Sequence, residues 1–350
     1  GKIKAKGIYK LDINSQYPYV MRENVFPIRL ESVLYNPNLY DVNTKYYSVV
    51  ADVIVDIKEP YIAHKIDGKT CFPIGQFRTT VCTGVFKLLL ESNCIKQINK
   101  IAVYQQAQAF KKFVDFFGRE KELFSKAKDK CGVVIAKYYL NRFYGKFGQK
   151  MDTLLDEENV PVELVEYIPT YNMETGYNGL IISYGGVRRL LEDRNENARD
   201  ALVAIAAHVT EFARMLLWDV MVAAGRQNVY YCDTDSVFVN KKGLQNLKKH
   251  KWIHPDKLGL LKIEEKTSHC IINTCKDYEF GDAQKRKGIR KDATIIDKNK
   301  FQQYHFPGLY SYLKLHPDNY IIQNIVKELS GDYTKGIVKK SGQVLPYVLG

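Results

Sequence analysis

Acidic residues are in short supply. Against 52 lysines and arginines the 350-residue chain sets only 39 aspartates and glutamates, for a formal net charge of +13 at pH 7. A surplus of that size points to a polyanionic partner, nucleic acid first, although a merely soluble basic protein can carry it too. Clustered cysteine is missing as well. The seven cysteines stand at 71, 82, 94, 131, 232, 270 and 275 with no Cys-x-x-Cys pair, a set that argues for reduced thiols in a reducing compartment. His269, Cys270 and Cys275 are close together in sequence, but their spacing matches no common zinc pattern. Long uncharged apolar runs are absent: the most apolar stretch, ALVAIAAHVTEFARMLLWDVMVAAG at 201–225, contains His208, Glu211, Arg214 and Asp219. It reads as a buried or amphipathic helix rather than a membrane span. No secretory signal, internal repeat or low-complexity tract is visible. With 45% hydrophobic and 26% charged residues, the chain is globular and long enough for roughly two or three domains.

The pattern along the chain is mixed. GIYKLDI (7–13) alternates and YYSVVADVIVDI (46–57) is β-branched, so both read as strands. From about 22 to 104 short strands, Pro and Gly turns and one helix near VFKLLLESN are expected. Helical periodicity takes over from Ala107 to Lys150, as two helices around Cys131 and Gly132 or one helix kinked there. Residues 151–179 read as an inserted hairpin excursion, 199–224 as a long helix closed by Gly225, and the basic tail as a mixed helical and turn region. The chain starts almost directly in a strand, and a fragment of a longer protein is expected.

The chemistry concentrates in VYYCDTDSVFV, residues 229–239. Asp is common in turns because its side chain bonds its own backbone, so an isolated Asp-Thr-Asp turn carries little. Here the flanks are apolar enough to be buried strands. Two carboxylates held there repel each other and resist ionisation unless a cation compensates. Magnesium suits such a site, since it binds through one or two carboxylates plus substrate phosphate oxygens. Asp12, at the end of the strand GIYKLDI, is the candidate third carboxylate. If the two strands are neighbours, Asp12, Asp233 and Asp235 converge.

KYYLNRFYG supplies a complement. Lys137, Asn141 and Tyr144 are spaced i, i+4, i+7 and share a helical face. Lys126 and Lys130 return to that face if the helix is continuous. The stripe could cradle a triphosphate, with Tyr144 and the adjacent backbone against a base; a solvated basic face has the same pattern.

Three segments together resemble one family. DINSQYP is similar to the D-x-x-S-L-Y-P motif of family B DNA polymerases, KYYLNRFYG to their K-x-x-x-N-S-x-Y-G helix, and YCDTDS to Y-x-D-T-D-S. KDY at 276–278 resembles the K-x-Y motif, KGI follows at 287–289, and the tail from Tyr333 resembles the C-terminal signature. The nearest subgroup is the protein-primed, organellar and viral type of linear plasmids, phages and adenoviruses, and only its polymerase half. The resemblance implies an α+β, right-hand architecture with an antiparallel-sheet palm, helical fingers and a small thumb. It divides the chain into palm (1–21), a first insertion resembling a terminal-protein region (22–104), fingers (105–150), a second, hairpin-like insertion (151–180), palm (181–290) and thumb (291–350), without the N-terminal exonuclease.

The same resemblance implies roles for individual residues. Asp12 and Asp235 would bridge two magnesium ions, manganese being able to substitute, with the Ile13 carbonyl as a further ligand and Asp233 as a weaker one. Tyr17 would be the steric gate against a ribose 2′-hydroxyl. Lys137 and Asn141, with Lys126 or Lys130, would hold the triphosphate, and Tyr144 would pack on the nascent base pair. Lys276, Tyr278 and Lys287 would grip primer and duplex, with Ser15, Gly145 and Ser236 in support. Gln16 stands where Leu is usual and Arg142 where Ser is usual; Gln16 is expected to point away from the metals, and Arg142 to reach template or triphosphate. The implied partners are primer–template DNA, deoxynucleoside triphosphates and, as one option, a terminal protein primer, with a monomer and no membrane. The implied location is host cytoplasm, a virus particle or mitochondria, and not the secretory route. The implied reaction is template-directed DNA synthesis by two-metal phosphoryl transfer, in replication of a viral or plasmid-like element. Two other readings are a metal-dependent nuclease, which leaves the helix stripe and Tyr17 without a role, and a catalytically impaired, nucleic-acid-binding polymerase fragment.

Overall fold

The computed structural model describes residues 3–39, 41–198, 201–305 and 322–350. They divide into two compact units, one of residues 1–148, 202–285 and 332–350, the other of 149–201 and 286–331. Helices and antiparallel sheets alternate in the first unit. Its central sheet has four strands in the order Val229–Asp233, Ser236–Val239, Ile8–Ile13, Leu261–Thr267. The strand foreseen at 7–13 therefore lies between the return strand of the Asp-Thr-Asp hairpin and a later strand, antiparallel to both.

Alternation explains how this sheet works. Ile8, Leu11 and Ile13 are buried, whereas Lys10 and Asp12 are half-buried on the opposite side. Leu11 and Ile13 join a core with Val237, Val239, Leu261 and the apolar face of the long helix α5, Val203–Ala224. Gly225 ends α5 with φ of 78°, a left-handed conformation that costs glycine little. Helix α1, Gln16–Glu23, follows the strand Ile8–Ile13 directly. Helix α2 is Thr83–Glu91, and α6, Lys241–Lys249, follows the aspartate hairpin.

Residues 26–107 build a second sheet, with strands Val348–Leu349, Ile74–Cys82, Tyr47–Ile57, Ile95–Ala107 and Phe26–Tyr35 in that order. Alternate residues Val49, Ala51, Val53, Val55 and Ile57 of its middle strand are fully buried. The last described strand pairs parallel to Ile74 and Gly75, so residues 332–350 return to the first unit. The tail's expected helical character is not seen: from 286 on, the described residues form strands and turns.

The helical segment is a hairpin of α3, Lys111–Lys126, and α4, Lys130–Lys146. Its break falls at Ala127–Asp129, before Cys131. Lys128 takes a left-handed φ of 59°, and the Asp129 carboxylate accepts the Gly132 N–H at 3.0 Å, capping α4. A β-carbon at Gly132 would come within 2.4 Å of the Phe124 ring, so glycine lets the two helices close. Phe113 stacks on Phe143 with centroids 4.3 Å apart, and Phe117 on Tyr139 at 4.9 Å.

In the second unit, strands Lys150–Asn159, Glu166–Tyr171, Asn178–Tyr184 and Val187–Asn197 form one four-stranded sheet. The expected boundary at 180 cuts through its third strand, because the segment completes two hairpins rather than one. A three-stranded sheet of Thr294–Asp297, Lys300–His305 and Gln323–Glu328 completes this unit.

Candidate functional site

Register brings the carboxylates together. Asp12 lies directly opposite Ser236, the residue after Asp235, and the Ile13 N–H donates to the Asp235 carbonyl at 2.8 Å. Between the two strands the chain turns at Thr234, whose φ of 57° is left-handed; Asp233 closes the outgoing strand. Ser15, in the turn before α1, is also left-handed with φ of 49°. Its hydroxyl makes no capping bond to α1, while its carbonyl accepts the Tyr19 N–H.

The electrostatics are those of crowded acids. Burial first, then the charges of Asp235 and Glu264, push the Asp12 carboxyl up to about 6, against the pull of Lys10 and Lys262. Burial, with Asp233 and Glu264 nearby, raises Asp235 as well. Asp233 faces elsewhere in part: Lys276 Nζ lies 3.6 Å from its Oδ2, and the Thr234 hydroxyl donates to its Oδ1 at 3.3 Å. Among the described residues, no three His, Cys, Asp or Glu side chains are gathered into a ready metal-binding group; this applies to His269, Cys270 and Cys275 too. The donors nevertheless suit a hard cation. They are carboxylates only, half-buried and mutually repulsive, and a divalent ion would relieve that repulsion.

Glu264 is the carboxylate that sequence reading missed. In the strand Leu261–Thr267 the pairing passes from Ile263 opposite Leu11 to Glu265 opposite Lys10, so Glu264 is the extra residue of a bulge. Lys10 Nζ meets its carboxylate at 2.9 Å.

Tyr17 opens α1 and packs on Tyr144 of α4, with ring centroids 4.5 Å apart. Burial first, then the hydrogen bond its hydroxyl donates to Tyr144, raises the Tyr17 phenol; Asp235 adds to that rise and Arg214 opposes it. The tyrosine pair thus borders the aspartates. Gln16 turns away from them, and its Nε2 donates to the Ala213 carbonyl on α5 at 2.8 Å.

The expected lysine stripe is only partly present. Lys137 and Asn141 are exposed on α4 and Tyr144 is half-buried, as their spacing required. Lys130 begins α4, but Lys126 ends α3, because the chain reverses between them. The reversal brings in a residue the one-helix reading passed over. Burial first, and then the charge of Lys137, lower the ammonium of half-buried Lys121 on α3, with Glu122 and Asp256 opposing. Two ammonium groups held this close form a natural anion site. Arg142 stacks its guanidinium over Tyr138 at 4.6 Å. Gly145 is exposed and has open space where a β-carbon would project.

Lys276 occupies a turn with φ of 58°, and its N–H donates to the Tyr231 hydroxyl at 3.0 Å. The K-x-Y turn is thereby fastened to the aspartate hairpin. The Tyr278 ring is buried against Phe238 at 5.0 Å and Tyr231 at 5.4 Å, so it serves packing, contrary to an open grip on primer. Lys287 is exposed and lies in the second compact unit.

Comparisons with known proteins agree with this geometry. The profile of the family described as DNA polymerase type B, organellar and viral, matches residues 1–160. A probable DNA polymerase of Ascobolus immersus is 23% identical over 94% of this chain and 27% of its own length. The DNA-directed DNA polymerase of Enterobacteria phage PRD1 is 27% identical over 65% of this chain and 38% of its own length. The chain thus spans roughly a quarter to two fifths of these relatives. Phi29 DNA polymerase complexed with single-stranded DNA superposes with a TM-score of 0.58 at 19% identity, covering 82% of this chain and 51% of that one. Its ternary complex with primer-template DNA and incoming nucleotide substrates gives 0.56 at 16% identity, covering 86% and 55%. The α+β polymerase fold and the kinship with organellar and viral type B DNA polymerases are shown by these matches.

Proposed function

We propose, from that kinship, that the chain carries the polymerase half of a DNA-directed DNA polymerase that extends a primer 3′ end on a template, in replication of a viral or plasmid-like element. The observation that supports this best is the meeting of Asp12 and Asp235 across neighbouring strands with Tyr17 at their edge. The substrates would be primer–template DNA and deoxynucleoside triphosphates.

Each residue then has physical work. Asp12 and Asp235 would hold divalent ions, magnesium by preference, with Glu264 and Asp233 adding negative potential. When bound, such ions supply charge stabilisation to the attacking and leaving oxygens. No side chain need act as nucleophile, since phosphoryl transfer runs on positioning and electrostatics. Lys137, Lys121 and Asn141 would neutralise and orient the triphosphate. Tyr17 and Tyr144 would form a wall where the sugar and base arrive. Lys276, released from Asp233, would meet the primer terminus. The basic run at 285–291 would lie along duplex phosphates, so affinity should fall steeply with salt.

Incubation with primer–template, the four deoxynucleotides and magnesium tests the reading. Templated extension supports it; degradation without added nucleotides, or binding without either, contradicts it. Two further outcomes are expected. With its carboxyl raised to about 6, Asp12 favours the folded state below the ordinary carboxylate range and loses that contribution as pH rises through 6. A cation bound by the ionised pair offsets the loss. Magnesium should therefore raise the melting temperature by a few degrees near pH 7.5 and much less near pH 5, and Asp235→Asn should remove the gain. An equal gain at both pH values would contradict the site. Secondly, Lys276→Ala should raise the primer–template concentration for half-maximal extension about tenfold, the scale of one charged contact. Unaltered extension at limiting primer would remove its role.

A further inference from the structure

Helix α5 places a carboxylate and an imidazole in an otherwise apolar core. Glu211 and His208 are 6% and 0% exposed, and both serve the first turn of α2. Glu211 Oε2 accepts the Cys82 N–H at 2.7 Å and its Oε1 the Val85 N–H at 3.0 Å. His208 Nδ1 donates to the Ala204 carbonyl at 2.6 Å, leaving Nε2 to accept from the Thr83 hydroxyl at 2.8 Å. First-turn N–H groups have no partner within their own helix, and no local side chain caps α2. Helix α5 therefore caps it from 125 or more residues away.

The same stretch of α5 also serves Tyr17. Arg214 is three residues beyond Glu211, on the same helical side, and the two line one small cavity with Thr80, Val81 and Met215. The Arg214 charge acts on Glu211 and on the Tyr17 hydroxyl. Between them, the Ala213 carbonyl accepts from Gln16, the residue before Tyr17. One turn of α5 thus joins the helix of the residue 26–107 sheet to the start of α1.

We propose that Glu211 is a positioning residue for Tyr17. Its carboxylate, fixed by the α2 N–H groups, holds the Arg214 guanidinium, which with the Gln16–Ala213 bond sets how Tyr17 meets the sugar of the incoming nucleotide. The 26–107 sheet thereby takes part in choosing deoxyribose over ribose. The inference rests on the polymerase reading above.

Single-nucleotide insertion by the full chain, with deoxy- and ribonucleoside triphosphates, tests it. Glu211→Gln keeps the shape and removes the charge. The ratio of kcat/KM for deoxy over ribo substrates should fall about fivefold or more, chiefly through KM, as suits one lost charge contact. Arg214→Gln, at an exposed position, should give the same drop even if Glu211→Gln folds poorly. Thr83→Val loosens the same docking without touching the charge; it should lower the melting temperature and leave the ratio within about twofold. An unchanged ratio in Arg214→Gln or in folded Glu211→Gln, or an equal drop in Thr83→Val, overturns the inference and leaves the polymerase reading intact. Failure of the unaltered chain to insert any deoxynucleotide overturns both.

Discussion

Asp12→Ala or Asp235→Ala is expected to abolish primer extension, lowering the rate at least about a thousandfold, or roughly 4 kcal/mol of transition-state stabilisation. Primer–template binding should stay within about twofold, because phosphate contacts by lysine and arginine dominate affinity for DNA. The two effects separate because the carboxylates act on charge that develops only during transfer. Both residues are half-buried at strand ends, and neither packs in the core, so the fold should survive. Removing either charge also relieves the repulsion that raises the other, so the apo variants should melt no lower than the unaltered chain. Single-turnover extension beside a binding titration measures both quantities. Normal synthesis by either variant would refute the site.

The second large effect concerns sugar choice. Tyr17→Ala should admit ribonucleotides, with discrimination reduced on the order of a hundredfold, close to 2.7 kcal/mol. The Tyr17 ring is braced by Tyr144 at 4.5 Å and by the hydroxyl bond between them. A braced ring cannot swing aside for a 2′-hydroxyl, whereas alanine leaves room. Tyr17→Phe keeps the ring and loses only the hydroxyl bond, so it should retain most of the selectivity. Competing deoxy- and ribonucleotide insertion opposite one template base reads the ratio. Unchanged discrimination in Tyr17→Ala would remove the gate role.

Local signals carried much of this site. The alternation in GIYKLDI and the apolar flanks of the aspartates indicated strands, and pairing then set Asp12 opposite Ser236. The spacing of Lys137, Asn141 and Tyr144 held because α4 is regular across them. What local pattern could not show was long-range. Lys126 fell off the stripe because Lys128 and Asp129 reverse the chain, and the same reversal brings Lys121 near Lys137. Glu264 looked like one more charge in an alternating strand; only the bulge against Lys10 and Leu11 singles it out. Glu211 and His208 read as charges that kept a helix out of a membrane, yet their work is to cap a helix over a hundred residues earlier. Tyr278 belonged to a motif, and the ring's burial beneath the hairpin came from packing that no motif records.

The most direct test of the account is a crystal structure of the chain with primer–template, incoming nucleotide and manganese, read by anomalous scattering. The account predicts metal peaks at coordination distance, about 2.1 Å, from carboxylate oxygens of both Asp12 and Asp235, with one ion shared between them. Peaks bound by only one of these residues, or metal held elsewhere with the triphosphate in place, would contradict it.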